Sequence, residues 1–122
     1  MNYFKYKSII YMRLMDNVEI RVYSDETFPR KEEETTEYDG VIKKYYITRA
    51  DFDEFMRELR DAGLYNWKKE YIDPLVLDGE GWELEYCYND TIKNIHGQND
   101  YPETFDAFMD ALNRLMKKFD EK

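Results

Sequence analysis

An octet recurs in this chain. Phe52-Asp53-Glu54-Phe55-Met56-Arg57-Glu58-Leu59 returns 53 residues later as Phe105-Asp106-Ala107-Phe108-Met109-Asp110-Ala111-Leu112, with five of the eight positions identical. In both copies Phe, Phe, Met and Leu fall at i, i+3, i+4 and i+7, the spacing of a single apolar stripe on an α-helix. Such a helix is stable only when its stripe is covered, and each octet follows segments whose apolar residues alternate with the period of a β-strand. The chain therefore reads as α+β: tandem ββα-like units building a mainly antiparallel sheet of about 5–6 strands, with two helices packed on one face. The pseudo-repeat halves fall roughly at 9–63 and 64–122. At 122 residues, residues 1–122 are expected to form a single domain around one core.

The strands are legible to different degrees. Ile10, Met12 and Leu14 form one apolar row and Val18, Ile20 and Val22 another, which predicts a hairpin turning at Met15-Asp16-Asn17 with Asn17 left-handed. Residues 25–40 are polar, with Pro29 and the run Arg30-Lys31-Glu32-Glu33-Glu34, and read as a long loop or the extended tips of a β-arm. Val41 to Thr48 is rich in β-formers. Thr48 or Asp51 is placed to cap the first helix, and Gly63 to end it. Leu64 to Ile72 reads as a linking strand that shows Trp67 and Tyr71 on one face, closed by Pro74. In the segment Asp78-Gly79-Glu80-Gly81 the two glycines make a turn a sufficient explanation.

The next hairpin is the clearest. With Asn89-Asp90 as a two-residue turn, Tyr88 opposes Thr91, Cys87 opposes Ile92, Glu85 opposes Asn94, Leu84 opposes Ile95 and Glu83 opposes His96. Trp82 and Leu84 then face the core. Glu83, Glu85 and His96 occupy the opposite face, with Cys87 and Ile92 as a small apolar patch. A His96 and Glu83 surface pair is expected. Before the second helix, Asp100 and Glu103 have capping-box spacing and Pro102 sits in the first turn.

Charge restricts the partners. The chain carries a formal net charge of −9, so direct nucleic-acid binding is not expected even though Lys43-Lys44-Tyr45-Tyr46 and Trp67-Lys68-Lys69 mix cations with rings. No segment has the apolar length of a membrane span, and no apolar stretch follows the lysines near the start, so neither a membrane nor a secretory leader is expected. The cytoplasm is the default, and the single Cys87 suits a reducing compartment. With one histidine and one cysteine a soft-ligand metal centre is not expected, and no motif calls for a cofactor. Nucleophile elbow, phosphate loop and dinucleotide fingerprint are all missing. Paired-acid hydrolysis can be drawn from Glu83 with Glu85, or from Asp78 with Glu80, although charged residues commonly alternate on an exposed strand.

From Trp67 to Leu115 the pattern Asp78-Gly79, Trp82-Glu83-Leu84 and Gly97-Gln98-Asn99-Asp100-Tyr101-Pro102 before a Phe-rich helix resembles a group of small bacterial proteins. They occur mainly in Gram-positive bacteria and their mobile elements. The resemblance implies no catalytic role; by size and charge alone it suggests an inhibitor. Gly97, Asn99, Asp100, Tyr101 and Pro102 also suit a strand-to-helix junction, in which Asn99 takes positive φ and Tyr101 folds over the helix start. The expectation is thus a non-enzymatic protein-interaction module, an inhibitor or regulator that engages a partner protein with a basic surface. Its candidate contacts are Glu83, Glu85, His96, Trp67, Tyr71, Asp78 and Glu80. The alternative is a small hydrolase or ligand-binding domain with a carboxylate, His96 and Tyr101 site.

Overall fold

Among the described residues seven strands form one mixed sheet, and two helices cover the same face of it. The computed structural model describes residues 2–10, 17–25, 29–36, 40–75 and 79–120. In chain order these hold β1 (Tyr3–Ile10), β2 (Val18–Ser24), β3 (Arg30–Thr36), β4 (Gly40–Ile47), α1 (Arg49–Asp61), a 3-10 turn (Leu64–Asn66), β5 (Glu70–Ile72), β6 (Glu80–Tyr88), β7 (Thr91–Gln98) and α2 (Phe105–Asp120). The strand order is β3-β4-β2-β1-β6-β7-β5, with β2/β4 and β5/β7 parallel and the other neighbours antiparallel.

The two octets behave as their periodicity predicts. Phe52, Phe55, Met56 and Leu59 of α1, and Phe105, Phe108, Leu112 and Leu115 of α2, are buried in one continuous core. Phe4 of β1 is the meeting point: its ring lies 5.1 Å from Phe55 at 89° and 6.1 Å from Phe108. One side chain of a central strand thus touches both helices. Thr48 caps α1 by accepting from the Asp51 amide at 3.2 Å, and Gly63 follows the helix with φ +97°. The far end of α2 is tied down by Asp120, which accepts from the Tyr45 hydroxyl at 2.9 Å and pairs with Lys31 Nζ at 2.8 Å.

The hairpin of β6 and β7 has the predicted register, from Tyr88 opposite Thr91 to Glu83 opposite His96. Its turn residues Asn89 and Asp90 have φ of 50° and 68°, as a turn that matches strand twist requires.

Four expectations are corrected. First, β1 begins at Tyr3, and Phe4 and Tyr6, not Ile10 to Leu14, oppose Val22 and Ile20. Tyr3-Phe4-Lys5-Tyr6-Lys7 also alternates, and burying its large rings under two helices removes more apolar surface than burying the later row. Met12, Leu14 and two residues of the predicted turn, Met15-Asp16, lie outside the described residues, and its third, Asn17, does not have the left-handed φ expected of it. Second, of the two readings of the polar segment the loop fails and the extended one holds at residues 30–36, which form an edge strand paired with β4. Its charges suit an edge, because they discourage further strands from joining. Third, the linking segment is mostly a 3-10 turn, and only Glu70–Ile72 joins the sheet, beside β7. Fourth, Asp100 and Glu103 form no capping box: α2 starts at Phe105, and the Asp100 carboxylate accepts from the Tyr101 amide at 2.9 Å.

Candidate interaction surface

Because both helices sit on the Phe4 and Tyr6 side, the side chains of alternate parity point to a face that no helix among the described residues covers. Register alone orders them in rows across the strands. One row runs Arg30, Tyr46, Tyr23, Tyr3, Cys87, Ile92. The next runs Glu32, Lys44, Arg21, Lys5, Glu85, Asn94, and the third Ile42, Glu19, Lys7, Glu83, His96, Glu70.

Three members of the first row, Arg30, Tyr46 and Tyr23, stack on one another. The Arg30 guanidinium lies 3.8 Å from the centroid of the Tyr46 ring, and Tyr46 stacks on Tyr23 at 5.2 Å with the planes 22° apart. Lys5 Nζ approaches the Tyr3 ring at 5.0 Å. Arg30 is held in turn by Asp25 at 3.1 Å. These contacts fix the rotamers of large side chains before any partner arrives. The Glu85 carboxylate beside Tyr3 holds its hydroxyl above the ordinary tyrosine range, so this ring stays a neutral donor well into alkali.

The outer face is not the acidic surface that Glu83 and Glu85 suggested. Lys7 stands between Glu19 and Glu83, and the cations Lys44, Arg21 and Lys5 stand side by side between Glu32 and Glu85, so the face carries both signs of charge. A half-open depression of about 300 Å³ lies there, lined by Lys5, Lys7, Glu83, Glu85, Asn94 and His96 among others. His96 Nε2 pairs with Glu70 Oε1 at 3.4 Å, not with Glu83. The parallel strand β5 brings Glu70 beside it, a neighbour that the hairpin alone does not supply. Cys87 is buried at 7% exposure between Tyr3 and Ile92, while Ile92 is 60% exposed.

The remaining candidates go elsewhere. Trp67 is buried on the helix side, 5.7 Å from Trp82 and 5.1 Å from Phe108, and donates its indole N–H to Thr104 at 2.8 Å. Tyr71 packs 6.0 Å from Trp82, and its hydroxyl accepts from the Lys68 amide. Asp78 lies outside the described residues. Glu80 accepts from the Tyr101 hydroxyl at 2.8 Å.

Glu80 thereby joins the junction, which is a packing knot. Asn99 takes φ +57° and accepts from the Glu80 amide through Oδ1 at 3.0 Å, lying so close to Gly79 that a side chain there would collide with it. Trp82 donates its indole N–H to the Asp100 carbonyl at 3.0 Å. Tyr101 stacks on Phe105 at 4.7 Å and lies over Trp82 at 6.3 Å. Burial, with Glu80 as acceptor, pushes the Tyr101 hydroxyl up to about 12. The Gly79, Gly97, Asn99 and Tyr101 pattern is thus accounted for by the fit of one strand end against the start of α2.

Reasoning from sequence missed Tyr3, Tyr23, Tyr46, Arg30 and Arg21 as one surface. The alternation in Tyr3-Phe4-Lys5-Tyr6-Lys7 and Arg21-Val22-Tyr23 contained the signal. Joining them to Tyr46 required the parallel pairing of β2 with β4.

Among the described residues no group of three or more His, Cys, Asp or Glu side chains is placed to hold a metal ion. No helix among them is long and apolar enough to cross a membrane. No model of a known protein family matches the chain, and no curated protein does.

Proposed function

We propose that this chain is a non-enzymatic protein-interaction module whose contact surface is the uncovered face of the sheet. The observation that carries the reading is the row Arg30, Tyr46, Tyr23, Tyr3: Arg30, Tyr46 and Tyr23 are stacked in place, Tyr3 lies next in register, and the three rings are half-buried beside an exposed Arg30. Tyrosine and arginine dominate the energetic centres of protein interfaces. A tyrosine orders few torsions on binding, and here mutual stacking has already ordered them, which lowers the entropic cost of association. Seven strands at a spacing of about 4.8 Å span about 30 Å, enough for a standard interface of about 800 Å² per partner.

Charge has a separate part. The net charge of −9 favours encounter with a cationic partner at long range, whereas the balanced outer face sets register at contact. An inhibitor or regulator of a protein with a basic surface fits this division. An analogy of size and charge alone, to small acidic inhibitors from mobile elements, points the same way.

Affinity capture from native extract at low and high salt tests the reading, with the Tyr23→Ala/Tyr46→Ala double variant beside the parent chain. A partner should be recovered by the parent, weaken with salt, and be lost by the variant. Asp106→Ala, on the exposed side of α2, should retain it. Failure to recover a partner, or equal recovery by the double variant, would sink the reading.

A second reading has its own observation. The depression between Lys5, Lys7, Glu83, Glu85 and His96 offers cations and carboxylates to a small zwitterionic ligand. Glu83 and Glu85 project from one face about 7 Å apart, a separation that also admits water between two acids for hydrolysis. Ligand-induced shifts at Lys7 and Glu83 that survive the tyrosine substitutions would favour this reading.

A further inference from the structure

We propose that the open half of the β7 edge is a β-strand-addition site for an extended acidic peptide segment of another protein. In the hairpin, Thr91, Lys93, Ile95 and Gly97 direct their backbone groups toward β6, because a two-residue turn makes Tyr88 and Thr91 a hydrogen-bonded pair. Ile92, Asn94, His96 and Gln98 therefore direct theirs outward. β5 satisfies only the last two: the His96 amide donates to the Lys69 carbonyl at 3.0 Å, and the Gln98 carbonyl accepts from the Asp73 amide at 2.9 Å. At Ile92 and Asn94 the outward N–H and C=O have no hydrogen-bond partner among the described residues.

A groove of about 430 Å³ runs beside those groups, where the chain leaves the sheet edge to bury Trp67. Trp67, Ile92 and Ile95 give it apolar walls. An added strand would gain main-chain hydrogen bonds from the edge and place alternate side chains in the groove. β5 blocks the edge beyond His96 and the Asn89-Asp90 turn ends it at the other side, so the site takes a segment of about four residues.

Charge selects the occupant. Lys69 and Lys93 line the groove and Lys68 adjoins it, and none of the three has a carboxylate within ion-pair distance among the described residues. In a chain with 27 acidic residues against 18 basic ones, three lysines without such a partner around one open edge favour an acidic strand. Glu70 is the acid on the groove and is engaged by His96.

The probe is a blocked Glu-Val-Glu-Val-Glu peptide, with Lys-Val-Lys-Val-Lys as its opposite, followed by amide exchange and NMR shifts on the full chain. The acidic peptide should slow exchange at Ile92 and Asn94 by about tenfold. Lys68→Glu/Lys69→Glu should weaken its binding by about tenfold or more. Ile92→Pro should abolish binding while leaving the fold intact, since the nitrogen it blocks faces away from β6. If that variant does not fold, the lysine pair and the exchange data on the parent chain decide. Unchanged exchange at both amides under saturating peptide, or equal affinity for the basic peptide, overturns the proposal. Protection that rises with protein concentration and no peptide overturns it in favour of self-pairing. The site does not rest on the outer-face reading, and Tyr23→Ala/Tyr46→Ala should leave peptide binding unchanged.

Discussion

A methyl group on Gly97 would collide with the Trp82 indole and sit 2.8 Å from the Asp100 carbonyl. The indole cannot retreat cheaply, because its N–H is committed to that same carbonyl and its rings pack against Phe105 and Trp67. Gly97→Ala should therefore destabilise the chain by about 1–3 kcal/mol, measured by urea unfolding, with a loss of near-ultraviolet dichroism from Trp82. A cost near zero would mean that the knot around Trp82 is loose. Residue by residue, the site was legible where chain neighbours dictate placement. Glu83 and Glu85 follow from strand parity, and His96 from the Asn89-Asp90 turn. Glu70 was not legible as the partner of His96, nor Tyr46 as the partner of Tyr23, since each meeting depends on a parallel strand that arrives from elsewhere in the chain.

Each octet encodes a buried stripe, and the two helices show it under the same physics: Leu59 and Leu112 are both fully buried. Leu59→Ala and Leu112→Ala should each cost about 2–5 kcal/mol through cavity formation. A loss below about 1 kcal/mol at either site would mean that its stripe is not in the core. Strands were harder to read than helices because alternation does not say where a strand stops. Tyr3 to Lys7 and Ile10 to Leu14 both alternate, and β1 was resolved only by the rings that both helices require beneath them. The polar composition of residues 25–40 left a loop and an extended β-arm both open, and residues 30–36 are extended because an edge strand tolerates charge on both faces and pairs through its backbone.

For the whole molecule, the buried Tyr86 and the partly exposed Tyr101 should lower stability in alkali. Burial pushes the Tyr86 hydroxyl up to about 12, and burial with the Glu80 contact does the same for Tyr101. The folded chain therefore holds these protons where the unfolded chain, titrating near about 10, has released them. Stability from this source is complete below about pH 10 and is lost as pH rises toward about 12. Urea midpoints across that range should fall, and Tyr86→Phe should flatten the decline; a parallel decline in the variant would refute the assignment. Burial also raises Tyr6 and Tyr45 and adds to the trend. The two helix stripes, the register of the last hairpin and the net charge of −9 were determined by the sequence by itself, because each depends on residues close along the chain or on composition. The central place of β1, the tyrosine row and the open edge of β7 were decided by the tertiary structure. They depend on which distant strands become neighbours, and that choice is made by the whole core when it buries its rings beneath both helices at once.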